Sequence, residues 1–137
     1  HFLKKPLPAE DVDRILAAAQ RAPTDASAQM YSIIRITDPA LRGQIATLSG
    51  EQQHIRDCSE FFVICLDVHR LDQLLQKRGT HLGMGPRVSL LYGTTDAILA
   101  AANLALAAEA LGYGTCFIGG VQNQIDRLSR LLALPRG

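Results

Sequence analysis

Between Ala97 and Ala110 the chain carries eight alanines, at 97, 100, 101, 102, 105, 107, 108 and 110. Alanine is the best helix former, and such a run leaves almost no bulk on any side of the helix. Other elements can therefore approach its axis closely on several faces, which suits a central helix shared between packed layers or a helix at a subunit interface. Asn103 and Glu109 interrupt the apolar run, so it reads as the buried helix of a soluble protein and not as a membrane span. Beyond it, Gly112-Tyr113-Gly114 breaks the helix, Thr115–Ile118 (T-C-F-I) reads as an apolar strand, and Gly119-Gly120 follows. A glycine pair just past a strand lets a flat ligand come close to bare backbone and its N–H groups. A helix end followed by a tight turn accounts for the same residues equally well.

The rest of the chain supplies partners for that helix. Pro8-Ala9-Glu10-Asp11 opens a helix, with acids in its first turn and Val12, Ile15, Leu16 and Ala19 along one face. Ala22-Pro23 ends it, and a small polar loop runs to about Gln29. Tyr31–Thr37 is a β-branched strand closed by Asp38-Pro39, and a short helix continues to about Leu48. A polar segment, Glu51–Asp57, precedes Glu60–Asp67, whose nearly continuous apolar run predicts a strand buried on both faces. Val68–Lys77 reads as helix, 79–88 as an exposed loop, Thr94–Leu111 as the long helix, and Gln122–Leu132 as a last helix with Ile125, Leu128, Leu131 and Leu132 inward. The pattern is a mixed α+β layer fold around a small sheet, with a long Ala-rich central helix. Three strands are few for so much apolar helix, and a homodimer, or segments beyond the termini, would bury the remainder.

At 137 residues the chain fits a single domain, and 47% hydrophobic residues support a core. A net charge of +1, no basic run beyond Lys4-Lys5 and only 5% aromatic residues argue against nucleic-acid or membrane-surface binding. Three cysteines, Cys58, Cys65 and Cys116, form no C-x-x-C and no zinc spacing; they suit a reducing, cytoplasmic setting. His1, His54, His69 and His81 are scattered without ligand spacing, so no metal is expected. Neither a G-x-S-x-G, a Walker loop, an H-E-x-x-H nor a strand-associated G-x-G-x-x-G occurs. A Cys58–His54 thiolate pair is conceivable, although four-residue spacing on a polar helix is usually surface. Three loops remain that could seat a planar heteroaromatic cofactor: 21–31, 50–54 and 117–120. Each also reads as plain structure, namely a capping loop, a helix start and a turn.

Taken together, R-A-P-T-D-A-S-A-Q-M-Y-S-I-I-R-I-T-D at 21–38, G-E-Q-Q-H-I at 50–55, E-F-F-V-I-C-L-D-V-H-R at 60–70, A-A-E-A-L-G-Y-G-T-C-F-I-G-G at 107–120 and I-D-R-L-S-R-L-L-A-L-P at 125–135 resemble the FMN-dependent nitroreductase/flavin reductase family. The likeness is nearest to its oxygen-insensitive NADPH nitroreductase and flavin reductase P branch and spans essentially the whole chain. It implies an FMN-binding nitroreductase-like domain over 1–137, dimeric, with NADPH or NADH as co-substrate. The implied fold has three layers, with the small sheet mostly antiparallel and flanked by helices. The implied activity is ping-pong hydride transfer to a small-molecule acceptor: a nitroaromatic, a quinone or a free flavin. Under the same resemblance Thr24 and Ser27 are similar to the family's FMN contacts after the first helix, although many members carry asparagine where this chain has Ser27. Gln29 and Gln52 match two of its glutamines, the latter beside the isoalloxazine edge. Phe117, Ile118, Gly119 and Gly120 match the strand end beside the flavin ring. With FMN carrying the chemistry, no side chain is expected to act as a catalytic acid or base. The family's phosphate grip, a basic segment before the position of His1 and a Lys or Arg after the final strand, would lie outside this chain, which reads as cut at both termini. Two alternatives stay open: a flavin reductase releasing reduced flavin, and a non-catalytic flavin-binding or dimerisation module.

Overall fold

The computed structural model describes residues 2, 3 and 5–135; His1, Lys4, Arg136 and Gly137 lie outside the described residues, and with them the Lys4 half of the basic pair. The elements in chain order are α1 (Ala9–Gln20), β1 (Tyr31–Arg35), α2 (Pro39–Leu48), α3 (Gln53–Asp57), β2 (Phe62–Leu66), α4 (Val68–Gln76), α5 (Pro86–Ala110) and α6 (Ile125–Leu131), with 3-10 turns at Asp25–Ser27 and Gly119–Gln124. β1 and β2 form a two-stranded sheet. The Ile36 N–H donates to Phe61 O at 2.9 Å and the Asp67 N–H to Met30 O at 2.9 Å, which fixes an antiparallel register. The chain falls into two compact units, one comprising 1–8, 35–63 and 114–137 and the other 9–34 and 64–113.

In the first unit Ile36, Ile45, Ala46, Ile55, Phe61 and Leu128 are buried. Asp38 caps α2, accepting the N–H groups of Ala40 at 2.9 Å and Leu41 at 3.3 Å, with Pro39 at the first helical position. Arg42 reaches from α2 to the carbonyls of Ile36 (2.9 Å) and Cys58 (2.5 Å), tying the helix to the ends of the two strands. Glu60 and Arg35 form a bidentate pair at 2.6 and 2.7 Å.

In the second unit α1 lies along α5. Val12, Ile15 and Ala19 are buried on the first helix, and Gly93, Asp96, Ala100, Ala105 and Ala108 on the second. Small residues permit that approach, and polar side chains fix it. Asn103 Nδ2 donates to Ala18 O at 3.3 Å, the Tyr31 hydroxyl to Ala19 O at 3.2 Å, and the Tyr113 hydroxyl to Asp11 at 2.6 Å. The helix ends where the Gly112 and Tyr113 N–H groups turn back to Glu109 O and Ala108 O.

Several sequence expectations change. The long helix begins at Pro86, not Thr94: residues 79–85 form a loop as expected, and Pro86–Val88 with the segment after it are helical. A Cβ at Gly93 would sit 2.8 Å from Leu66 Cγ, so glycine is what lets β2 lie against the helix. Thr115–Ile118 is not a strand: no described strand runs beside it to supply a ladder, and Phe117 is exposed. Cys116 is accordingly exposed rather than core. β2 is half-buried along its length instead of buried on both faces, and Ile125 is exposed although Leu128 is buried.

Asp67, at the start of α4, accepts the Arg70 N–H at 2.9 Å and the Ser32 hydroxyl. Burial pushes its carboxyl up, but the Ser32 hydroxyl, the Arg70 N–H and the Arg70 charge outweigh that and hold it below the ordinary value. A depressed folded value gives stability that is present above the unfolded value of about 3.9 and lost as pH falls through the folded one. Asp67→Asn is therefore expected to be less stable than the parent in urea at pH 7, with the gap closing below about pH 4. An equal gap at pH 7 and pH 3 would show that the charge plays no part.

Candidate functional site

In the first unit the site is built around the turn after α2. The Ser49 N–H closes the helix on Ile45 O at 2.9 Å. Gly50 and Glu51 then take φ of +89° and +57°, and Gln52 opens α3. The turn is held from outside by Arg56, whose guanidinium donates to Glu51 (2.8 Å) and Thr47 Oγ1 (2.8 Å). Arg56 also holds the Glu51 carboxyl below its ordinary value. Gln52 Nε2 donates to Ser49 O at 2.7 Å, which sets the side-chain amide against the backbone of the turn.

Against this turn the 3-10 turn Gly119–Gln124 brings Gly120. A Cβ at Gly120 would lie 2.5 Å from Ser49 O and 2.6 Å from Gln52 Nε2, so no other residue fits. At Gly119, by contrast, a Cβ would meet nothing within 4 Å. One glycine is thus required by packing, and its neighbour faces open space. The Ser49 hydroxyl is buried and without a partner. Of the sequence candidates the structure brings Gln52 and Gly120 together, with Gly119 beside them. Ile118 is half-buried in extended backbone just before them, and Phe117 is 67% exposed.

In the second unit Thr24, Ser27 and Gln29 share one loop. Thr24 is half-buried, while Ser27 and Gln29 are exposed. Ala26, Ser27 and Gln29 have φ of +47°, +56° and +50°, left-handed values that non-glycine residues seldom adopt. The Gln29 N–H donates to Thr24 Oγ1 at 3.4 Å, Gln29 Nε2 to Gln20 O at 3.3 Å, and the Arg70 guanidinium to Gln29 O. Sequence reasoning missed Asp96. It is fully buried on α5 and accepts two N–H groups of this loop, from Asp25 at 2.8 Å and Met30 at 3.0 Å. The available signal was its isolation, since Asp96 is the only charged residue from Val88 to Ala108.

A concavity of about 790 Å³ between α2 and α6 is lined by Arg56, Arg127 and Arg130 over an apolar floor and contains none of the candidate residues. Cys58 donates its thiol to Ile55 O at 3.2 Å, and burial pushes it up and away from the thiolate a nucleophile would need.

Comparison with known proteins gives this α+β arrangement a family. The family model "Nitroreductase family" matches residues 1–137, and the chain belongs to that family. It is 35% identical over 136 residues to an FMN reductase (NADPH) of Bacillus subtilis, covering 98% of this chain and 55% of that protein. It is 38% identical over 136 residues to an oxygen-insensitive NADPH nitroreductase of Salmonella typhimurium, covering 99% and 55%. Among solved structures, the NfrA1 nitroreductase of B. subtilis superposes with a TM-score of 0.92 at 35% identity, covering 98% of this chain and 55% of that one. The fold is therefore nitroreductase-like, and the chain spans about half the length of these relatives.

Proposed function

We propose that residues 1–137 form a flavin-binding domain of an FMN-dependent NAD(P)H oxidoreductase. The observation that carries the reading is the glycine pair. Gly120 is locked against Ser49 and Gln52, and Gly119 beside it leaves open a space bounded by backbone. A buried hydroxyl without a partner at Ser49 and a side-chain amide at Gln52 give that place the polar character a flavin edge needs, so the residues present fit the cofactor. The names of the B. subtilis and S. typhimurium relatives, an FMN reductase and an NADPH nitroreductase, support the same cofactor and co-substrate.

FMN, when bound, supplies acceptance of hydride from NADPH or NADH and delivery of two electrons to a nitroaromatic, quinone or free flavin. The chain supplies position. In the first unit Gln52, Phe117, Ile118, Gly119 and Gly120 are assigned to the ring, with backbone N–H groups at Gly119 and Gly120 able to stabilise developing negative charge. In the second unit Thr24, Ser27 and Gln29 are assigned as further contacts. No histidine, acid or thiol is needed for proton work. A cytoplasmic setting follows from the NAD(P)H requirement and the three free thiols.

A homodimer belongs to the same reading. On α5, Leu90, Leu91, Ile98 and Leu106 are each more than 60% exposed and fall on one side of the helix. This helix is also long and apolar enough to cross a membrane by length and composition. Its buried Asp96 and its packing on α1 favour a second protein surface over lipid.

The second reading, a reductase whose product is free reduced flavin, rests on the name of the B. subtilis relative. Initial rates with NADPH and either excess FMN or a nitroaromatic separate the two. Parallel-line ping-pong kinetics with a nitroaromatic are expected. FMN turnover with no nitroaromatic turnover would favour the flavin reductase, and no NADPH oxidation with either acceptor would leave only a binding module.

A further inference from the structure

Three of the six residues from Thr24 to Gln29 sit at left-handed φ without being glycine. Each such residue costs roughly 1–2 kcal/mol, so the loop keeps this shape only if its surroundings over-determine it. The determinant with both ends of the loop in hand is Asp96. It lies two-fifths of the way along α5, is completely buried, and spends each carboxylate oxygen on a different end of the loop: Oδ1 on the Asp25 N–H at 2.8 Å and Oδ2 on the Met30 N–H at 3.0 Å. The contacts span 71 and 66 residues of sequence, so the carboxylate fastens the loop to the helix rather than capping a local turn. Between the pinned ends, Thr24 Oγ1 takes the Gln29 N–H and the Arg70 guanidinium takes Gln29 O, closing the loop on itself and on α4. The strained residues Ala26 and Ser27 lie exposed at the crest, where the Ser27 N–H donates to Thr24 O at 3.2 Å.

We propose that Asp96 is the positioning residue of the Thr24–Gln29 loop: its carboxylate pins both loop ends so that the strained crest holds Thr24 and Ser27 in a fixed presentation for the ligand. The ligand half of this assignment rests on the flavin reading of the loop; the clamp itself rests on the hydrogen bonds. Asp96 acts on the ligand only through the loop's backbone N–H groups. Only a side chain with two acceptors on one short stem can serve both N–H groups from a closed helix face, which is why an isolated acid sits in an otherwise uncharged stretch of α5.

Asp96→Asn keeps the volume but offers one acceptor, and turns an NH₂ towards the second N–H. In the full chain without FMN, hydrogen exchange at the Asp25 and Met30 amides is expected to speed up about 10-fold or more, while the Ala100 amide one turn along α5 stays within about twofold. FMN affinity, followed by quenching of flavin fluorescence, is expected to fall about 10-fold, with a change in the bound flavin's visible band. Adding Ala26→Gly, which relieves the left-handed strain at φ +47°, is expected to restore part of that affinity. A purely structural role would instead speed exchange throughout the second unit and show no rescue. Loop exchange unchanged in D96N overturns the clamp. Faster loop exchange with FMN affinity unchanged overturns the positioning role. A parent chain that takes up no FMN, with loop exchange still accelerated in D96N, overturns the flavin reading and the ligand half while the clamp stands. Should D96N not fold, the parent chain decides the matter: Asp25 and Met30 amides exchanging at the rate of an unstructured peptide would contradict the clamp.

Discussion

Gly120→Ala is expected to lose both stability and FMN binding, while Gly119→Ala loses FMN binding alone. The added methyl at Gly120 would start 2.5 Å from a backbone oxygen, Ser49 O, and 2.6 Å from Gln52 Nε2. The glutamine end can swing aside, but only by giving up its 2.7 Å bond to Ser49 O, and the backbone oxygen cannot move without disturbing the end of α2. Overpacking of this kind costs about 1–3 kcal/mol, and here the upper end is expected because the obstacle is main chain. At Gly119 the methyl meets nothing, so stability should stay within about 0.5 kcal/mol of the parent. If the flavin ring occupies that open space, the same methyl should weaken FMN binding by roughly 10-fold or more, as a clash worth over about 1.4 kcal/mol does. Urea denaturation and a fluorescence titration read the two effects apart. Gly119→Ala binding FMN like the parent would move the ring away from the glycine pair.

The second large effect is on assembly. Ile98 stands near the centre of the exposed face that Leu90, Leu91 and Leu106 share on α5. Burying such side chains gains about 25 cal/mol per Å² of apolar surface, and a buried unpaired carboxylate in their midst would reverse the gain. Ile98→Glu is therefore expected to convert a dimer to a monomer, halving the mass seen by light scattering after size exclusion. In the described chain Ile98 is 61% exposed, so the substitution should leave the fold of a single subunit intact. A parent chain that is monomeric, or an I98E variant that stays dimeric, contradicts the assigned interface. A parent chain that needs detergent to remain in solution would instead put that face against lipid.

Local pattern carried much of this fold. Helical spacing of Val12, Ile15 and Ala19, the Asp38-Pro39 start of α2, and the β-branched runs of β1 and β2 are legible because each is decided within a few residues. What was not legible depends on distant partners. Thr115–Ile118 has strand composition, but a strand is defined by a neighbour and none is present among the described residues. Sequence pattern starts the helix only at Thr94, just past Gly93, because the reason for that glycine, Leu66, lies 27 residues earlier in the chain. The same holds at the site. Gln52 and Gly120 could be named from the resemblance, yet their contact and the contrast between Gly119 and Gly120 are tertiary facts. Asp96 escaped because a carboxylate serving backbone N–H groups leaves no motif beyond its isolation in an apolar helix.

The central claim is that this chain seats a redox-active flavin, and the visible spectrum of the FMN-mixed protein after gel filtration tests it most directly. A flavin band is expected to travel with the protein and to bleach under anaerobic NADPH, then return when a nitroaromatic is added. Protein that emerges colourless, or a co-eluting flavin band that NADPH does not bleach, would contradict the account.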